Sequence, residues 1–150
     1  MNRYAAPNAQ LEESTTGNSG TAVLIGAAIG NGISYAVLFV FGLVFLWSLA
    51  LQGVPTQDLY VKAYQSTSYL AFAHIVGFLC LIPGGYWSAR LSPNKPLLAA
   101  LLAGGIVAAF TATTNLIPYE LPIPLWSRIT SVVAAIPAFG LGAAWWRRAA

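Results

Sequence analysis

The chain has 150 residues, of which 57% are hydrophobic and only 7% are charged. Soluble domains carry roughly a quarter charged residues because their surfaces face water, so this composition excludes a soluble domain and predicts an integral membrane protein. The formal net charge is +3, but the positive residues are scattered and form no basic stripe, which argues against a nucleic-acid partner.

The first 20 residues are polar and rich in Asn, Ser, Thr and Gly, and they predict a disordered N-terminal tail. The apolar run that follows is too long for a signal peptide. We therefore interpret it as an uncleaved membrane anchor.

Four apolar runs follow the tail, and each has the roughly 20 residues that a helix needs to cross a bilayer core of about 30 Å. They cover residues 21–51, 66–89, 96–117 and 124–146. The sequence therefore predicts an all-α membrane protein with a four-transmembrane-helix bundle over residues 21–148.

The distribution of positive charge predicts how this bundle is oriented. With four spans, the tail, the connection between spans two and three, and the C-terminal end share one side of the membrane. Five positive residues fall on that side and two on the other: Arg3, Arg90, Lys95, Arg147 and Arg148 against Lys62 and Arg128. The positive-inside rule then predicts cytoplasmic termini in a cell inner (plasma) membrane. Arg90, Lys95, Arg147 and Arg148 are also candidates for contacts with lipid head groups of the bilayer.

Small residues recur every four positions in three spans, and such faces let membrane helices approach closely. The predicted faces are Ala22, Gly26, Gly30 and Ser34; Ala100, Gly104, Ala108 and Ala112, with Gly105 and Ala109 beside them; and Ala134, Ala138 and Gly142. The neighbour can be a helix of this chain or of another. Pro83 and Pro137 lie inside apolar runs, and we expect them to kink their helices.

Few polar side chains lie inside the spans, and none of them is Asp or Glu. Asn31, His74, Thr111 and Asn115 are candidates for an intramembrane polar site if the fold brings them together. Each also has an ordinary structural role, because amides and imidazoles bond neighbouring helices and Thr hydroxyls bond their own backbone. Glu120 and Arg128 are a candidate ion pair at the outer face.

No catalytic constellation is present: there is no nucleophile–His–acid set, no HExxH, no phosphate loop and no cysteine pair. His74 is the only histidine, so one chain cannot form a multi-histidine metal site. The sequence predicts a protein that is not an enzyme and holds no metal and no cofactor. An alternative is a cofactor-bearing subunit in which His74 ligates a haem or chlorophyll of a partner complex.

One stretch, GGYWSARLSPNKPLL at residues 84–98, resembles a turn found in small uncharacterised bacterial four-helix inner-membrane proteins. The resemblance covers about a sixth of the chain and is carried by Gly84, Gly85, Tyr86, Ala89, Arg90, Leu91, Pro96, Leu97 and Leu98. A histidine often follows the leucines in that pattern, whereas this chain has Ala99. The resemblance implies a bacterial inner membrane protein with four spans and implies no activity. Physically, Gly84 and Gly85 are expected to let span two approach span three.

Two functions fit these residues. The leading hypothesis is a structural or accessory membrane protein that assembles with itself or with a larger membrane protein complex, because small-residue faces are present and catalytic groups are not. The alternative is a homo-oligomeric transporter or channel for a small molecule or ion, with the intramembrane polar residues as its path.

Overall fold

A computed structural model describes residues 19–117 and 121–149, and all regular secondary structure in these ranges is helical. The helices are α1 (Ser19–Leu51), α2 (Leu59–Gln65), α3 (Thr67–Leu91), α4 (Pro96–Leu116), α5 (Leu125–Val133) and α6 (Ala135–Ala149), with a 3-10 turn at Thr56–Asp58. Four segments are long and apolar enough to cross a membrane: α1, α3, α4 and the α5–α6 pair. The predicted helical bundle of four spans is confirmed.

The bounds of these segments differ from the predicted spans by three residues at most. Ser19 and Gly20, which we expected in the tail, are the first residues of α1. The rest of the predicted tail, including Arg3, lies outside the described residues. The short helix α2, between the first two spans, was not predicted.

Local sequence explains where several helices begin and end. α1 ends in a Schellman motif, in which the Val54 N–H donates to the Leu49 carbonyl and the Gly53 N–H to the Ala50 carbonyl. Gly53 has a φ of 83°, which L side chains avoid. Ser66 caps α3 by accepting a hydrogen bond from the Tyr69 N–H at 3.3 Å. Pro96 occupies the first turn of α4, where its missing N–H is not needed.

The two prolines inside the spans have different effects. α3 continues through Pro83 without interruption. The fourth span is interrupted between Val133 and Ala135. Pro137 has no N–H to donate to the Val133 carbonyl, so the bond that would continue the helix across this joint is missing.

The four spans run alternately up and down, so that α1 and α4 point one way and α3 and α5–α6 the other. We call the end that carries Ser19, the turn between α3 and α4, and Ala149 the terminal end, and the opposite end the far end. α3 is central, because it packs against α1, α4 and α6, whereas α1 packs chiefly against α3.

The terminal half of the bundle is held together by small residues around one aromatic ring. Phe139 of α6 is fully buried and lies against Gly30 of α1, Gly84 and Gly85 of α3, and Gly104 of α4. A Cβ on Gly84 would lie 2.6 Å from the Gly26 carbonyl oxygen, which is tighter than real contacts allow. Backbones therefore approach closely where glycines face each other.

Most of the predicted small-residue faces are buried within this one chain. The buried members are Ala22, Gly26, Gly30, Ser34, Ala100, Gly104, Ala108, Ala138 and Gly142. Ala109 is exposed, and a Cβ on Gly105 would touch nothing within 4 Å, so these two lie off the contact face. Gly84 and Gly85 approach α1 and α6, so our expectation that they bring the second span against the third was wrong. The ring and backbone of Phe139 fill the space beside these two glycines.

The ends of the bundle differ in charge. Arg90, Lys95, Arg147 and Arg148 are exposed at the terminal end, and the Arg90 guanidinium lies 4.9 Å from the Trp87 ring centroid. The far end carries Lys62 in α2 and Arg128 in α5. The asymmetry used to predict orientation is thus present between the two ends of the folded bundle.

Candidate functional site

A cavity of about 220 Å³ lies toward the far end of the bundle, between α1, α3, α4 and α5. Its apolar wall is formed by residues such as Leu38, Phe78, Leu81 and Val107. Its polar wall is formed by Asn31, Ser34, Tyr35, His74, Thr111 and Ser131. None of the described residues that line it is charged. We call this space the polar cavity.

The structure brings three of the four candidate polar residues to this cavity, since Asn31, His74 and Thr111 all line it. Asn115 does not line it but is connected to it, because its amide Nδ2 donates to the Ser131 hydroxyl at 3.4 Å and to the Arg128 carbonyl at 3.3 Å. Glu120 lies outside the described residues, and with it the expected ion pair to Arg128.

The imidazole of His74 lies between two backbone carbonyls. Its Nδ1 lies 2.6 Å from the Leu70 carbonyl oxygen one turn earlier in α3, and its Nε2 lies 2.9 Å from the Ser127 carbonyl oxygen of α5. The Ser127 hydroxyl is 3.4 Å from the same Nε2, and the Trp126 ring centroid is 5.5 Å from the imidazole. The imidazole tautomer decides which nitrogen donates, and therefore which of these contacts is a hydrogen bond.

The hydroxyl side chains that α4 and α5 contribute to the cavity bond to backbone carbonyls of their own helices. The Thr111 hydroxyl donates to the Val107 carbonyl at 2.9 Å, and the Ser131 hydroxyl donates to the Arg128 carbonyl at 2.8 Å. Because each hydroxyl proton is used in these bonds, the hydroxyl oxygens act as hydrogen-bond acceptors toward the cavity.

The wall formed by α1 is different, because its polar groups are unpaired. Asn31, Ser34 and Tyr35 make no side-chain hydrogen bond to any described residue, although all three line the cavity. Their polar atoms are accessible and not sealed in the core. Their spacing of three and four residues places them on one face of α1. An amide, a hydroxyl and a phenol are therefore available there to a molecule inside the cavity.

The polar cavity reaches the surface of the bundle on the side formed by α1. Tyr35, one of its lining residues, is 54% exposed. Beyond Ser34 no residue of α1 is buried. The helix stays packed on α3 there, because the rings of Phe41 and Phe45 lie 5.4 and 4.3 Å from the ring of Tyr69.

Sequence reasoning missed four members of this site. Ser34 was assigned to helix packing, Tyr35 was not considered, and Ser127 and Ser131 were overlooked. The last two are four residues apart in α5, which places both on one face of that helix. That spacing, in a span otherwise rich in apolar residues, was the signal available for them.

The site can hold a molecule by hydrogen bonds and apolar contact, and its described lining contains no Asp, Glu, Lys or Arg. Among residues 19–117 and 121–149 there is no group of three His, Cys, Asp or Glu side chains that could hold a metal ion. No family model, curated protein or solved structure matches this chain.

Proposed function

We propose that the protein is a homo-oligomeric membrane transporter or channel that takes a small uncharged molecule with hydrogen-bonding groups. The polar cavity is its binding site, and the bundle surrounding it crosses the inner membrane with cytoplasmic termini. Hydrogen bonding and passage require no bond cleavage, so the protein is not an enzyme.

The observation that carries this proposal is the unpaired wall of α1. A polar group in a membrane span is costly unless it is hydrogen-bonded, because the hydrocarbon offers no partner. Asn31, Ser34 and Tyr35 have no described protein partner, so a polar molecule in the cavity supplies what they lack. Donors and acceptors of Asn31 face acceptors of Thr111 and Ser131, which matches a ligand with both kinds of group.

The class of ligand follows from size and charge. A dry cavity of about 150 Å³ is enough for benzene, so about 220 Å³ suits a molecule with few heavy atoms. An ion stripped of its water would need a charged or closely packed set of ligands, and no described charged residue lines this space. A small neutral polyol or amide has the right chemistry.

The oligomer is proposed because the α1 side of the cavity is exposed, with Tyr35, one of its lining residues, 54% exposed. A second copy placed against this side would separate the polar wall from lipid and complete a continuous path. Four spans are also few for enclosing a pore within a single chain.

The test is uptake of glycerol and urea, two small uncharged probes, by liposomes containing the purified protein. Stopped-flow light scattering measures re-swelling after osmotic shock. We expect wild-type protein to raise the rate for at least one probe above that of protein-free liposomes. Asn31→Leu should lower the added rate about fivefold, the loss expected when a hydrogen bond worth about 1 kcal/mol is removed.

A matched pair on α4 provides the control. Thr111 lines the cavity, whereas Thr113 is exposed and its hydroxyl bonds only the Phe110 carbonyl. Thr111→Val should lower the rate and Thr113→Val should leave it unchanged. Equal rates for wild-type protein and empty liposomes with both probes, or an unaltered rate in Asn31→Leu, would contradict the proposal.

An accessory role is the second candidate function, and the far half of α1 favours it. From Tyr35 to the end of this helix the large apolar side chains are mostly exposed, including Phe39, Val44 and Trp47. A partner helix packed there would complete the bundle. Native mass spectrometry after gentle extraction distinguishes the candidates, since a stoichiometric foreign partner supports the accessory role and a homo-oligomer supports the transporter. The small-residue faces no longer favour association between chains, because most of them are buried within one chain.

A further inference from the structure

A second concave surface lies in the terminal half of the bundle, away from the polar cavity. It runs between α1 and α4, has a volume of about 370 Å³, and has apolar walls that include Leu24, Leu98, Leu102 and Ile106. Its terminal end is lined by Lys95 and Ser92, in the turn between α3 and α4. We call it the α1–α4 groove.

The groove has the length of one lipid leaflet. Eleven residues separate Lys95 from Ile106, which at the helical rise corresponds to about 16 Å along α4. Half of a hydrocarbon core of about 30 Å is about 15 Å. The groove therefore begins where head groups lie and ends near the middle of the bilayer. Leu24, Leu98 and Leu102 are 51–63% exposed, so the groove is open to lipid along its side.

The terminal end of the groove is positively charged, and no described carboxylate neutralises this charge. Lys95 is exposed and has no ion-pair partner among the described residues. Arg90, Arg147 and Arg148 lie at the same end of the bundle. The one described carboxylate side chain, Asp58, lies at the far end. The described part of this end is therefore positively charged and attracts anions.

We propose that the α1–α4 groove binds an anionic phospholipid, with an acyl chain along Leu98, Leu102 and Ile106 and the phosphate at Lys95. A zwitterionic lipid carries its own cation beside the phosphate, so Lys95 favours a lipid with net negative charge. This site is independent of the polar cavity and of any transport through it.

The experiment is native mass spectrometry of the full chain in detergent, titrated with phosphatidylglycerol or with phosphatidylethanolamine. We expect one tightly retained phosphatidylglycerol per chain and weaker retention of phosphatidylethanolamine. Lys95→Gln should weaken phosphatidylglycerol binding about fivefold, the loss of one direct contact between a basic side chain and the lipid phosphate. Arg148→Gln, at the same end of the bundle but outside the groove, should change it by less than twofold.

A second variant tests where the acyl chain binds. Leu98 is half exposed on the groove wall, so Leu98→Trp fills the groove without disturbing the core, and it should weaken both lipids. Equal retention of the two lipids by wild-type protein, or equal effects of Lys95→Gln and Arg148→Gln, would overturn the proposal. A dimer that retains no lipid would also overturn it and would assign the groove to a second copy of the chain.

Discussion

Gly85 in α3 lies directly against the backbone of Phe139 in α6, and replacing it with alanine tests whether this contact holds the bundle together. A Cβ at this position would overlap the Phe139 carbonyl oxygen and would lie 2.6 Å from its Cα. Ordinary Cβ contacts begin at 3.4 Å, so α3 and α6 would have to separate by at least 0.8 Å to clear the Cα, and by more to clear the carbonyl oxygen. Backbone atoms cannot rotate away, in contrast to the end of a flexible side chain.

The size of the effect follows from overpacking. Forcing an extra methyl into a packed core costs about 1–3 kcal/mol, and a backbone neighbour places this case near the upper limit. Alanine recovers up to about 1 kcal/mol through its higher helix propensity. We therefore expect a net loss of about 2 kcal/mol in the free energy of unfolding. For a chain of this size that corresponds to a fall in Tm of roughly 4–8 °C.

Gly105→Ala is the matched control, because a Cβ on Gly105 of α4 would meet nothing within 4 Å. Both variants add one methyl to a membrane helix, so composition and helix propensity change equally. The assay heats each protein in dodecyl maltoside and measures the remaining monodisperse fraction by size-exclusion chromatography. Gly105→Ala should keep or slightly raise Tm. If the two variants melt together, close packing of α3 on α6 is not what stabilises the terminal half.

Two predictions concern helix ends and use the same assay. Gly53→Ala forces a side chain into a φ of 83° and should cost about 1–2 kcal/mol of unfolding free energy. Gly32→Ala is the control, because a Cβ there would touch nothing, and it should be neutral or stabilising. Equal Tm values would show that the Schellman motif does not stabilise α1. Ser66→Ala removes the side chain that accepts from the Tyr69 N–H and should cost about 1 kcal/mol of unfolding free energy. Ser68→Ala, in the first turn of the same helix, should cost little. A larger loss of Tm in Ser68→Ala than in Ser66→Ala would refute the assignment of the cap.

The positions of the four spans could be predicted because a bilayer imposes length and apolarity on any helix that crosses it. Those two properties are written in consecutive residues, and the bounds were accordingly correct to within three residues. The interruption at Ala134 was only partly predictable. Pro137 indicated a disturbance, yet α3 is continuous through Pro83, at which the same sequence signal predicted a kink.

Pairing between helices was less accessible to sequence reasoning. The faces around Gly26 and Gly104 were recognisable from their spacing, but spacing does not name the partner helix. Gly84 and Gly85 were assigned to the wrong neighbour because Phe139, which fills the space between them and α6, is distant in the chain. The turn at Gly53 and the short helix α2 depend on local hydrogen bonds that the apolar pattern does not reveal.

The sequence indicated the polar character of the cavity, but it did not indicate which serines belong to it. Residues that are costly in a membrane stand out in an apolar chain, which is why Asn31, His74 and Thr111 were identified. Serines do not stand out, because Ser34 also serves as a small packing residue, and Ser127 meets His74 across 53 positions of sequence. Only the fold reveals that these groups share one space.

The site lies where α1 changes from a packed helix to an exposed one. On the terminal side, Gly26 and Gly30 fix α1 against α3 and Phe139. Ser34 is its last buried residue, and the helix continues to Leu51 with support mainly from α3. A mere packing defect would have apolar walls and stay dry, whereas this cavity keeps unpaired polar groups where α1 passes from the core to the surface of the bundle. Polar groups at such a boundary can be reached from outside the core, which the proposed binding of a small molecule requires.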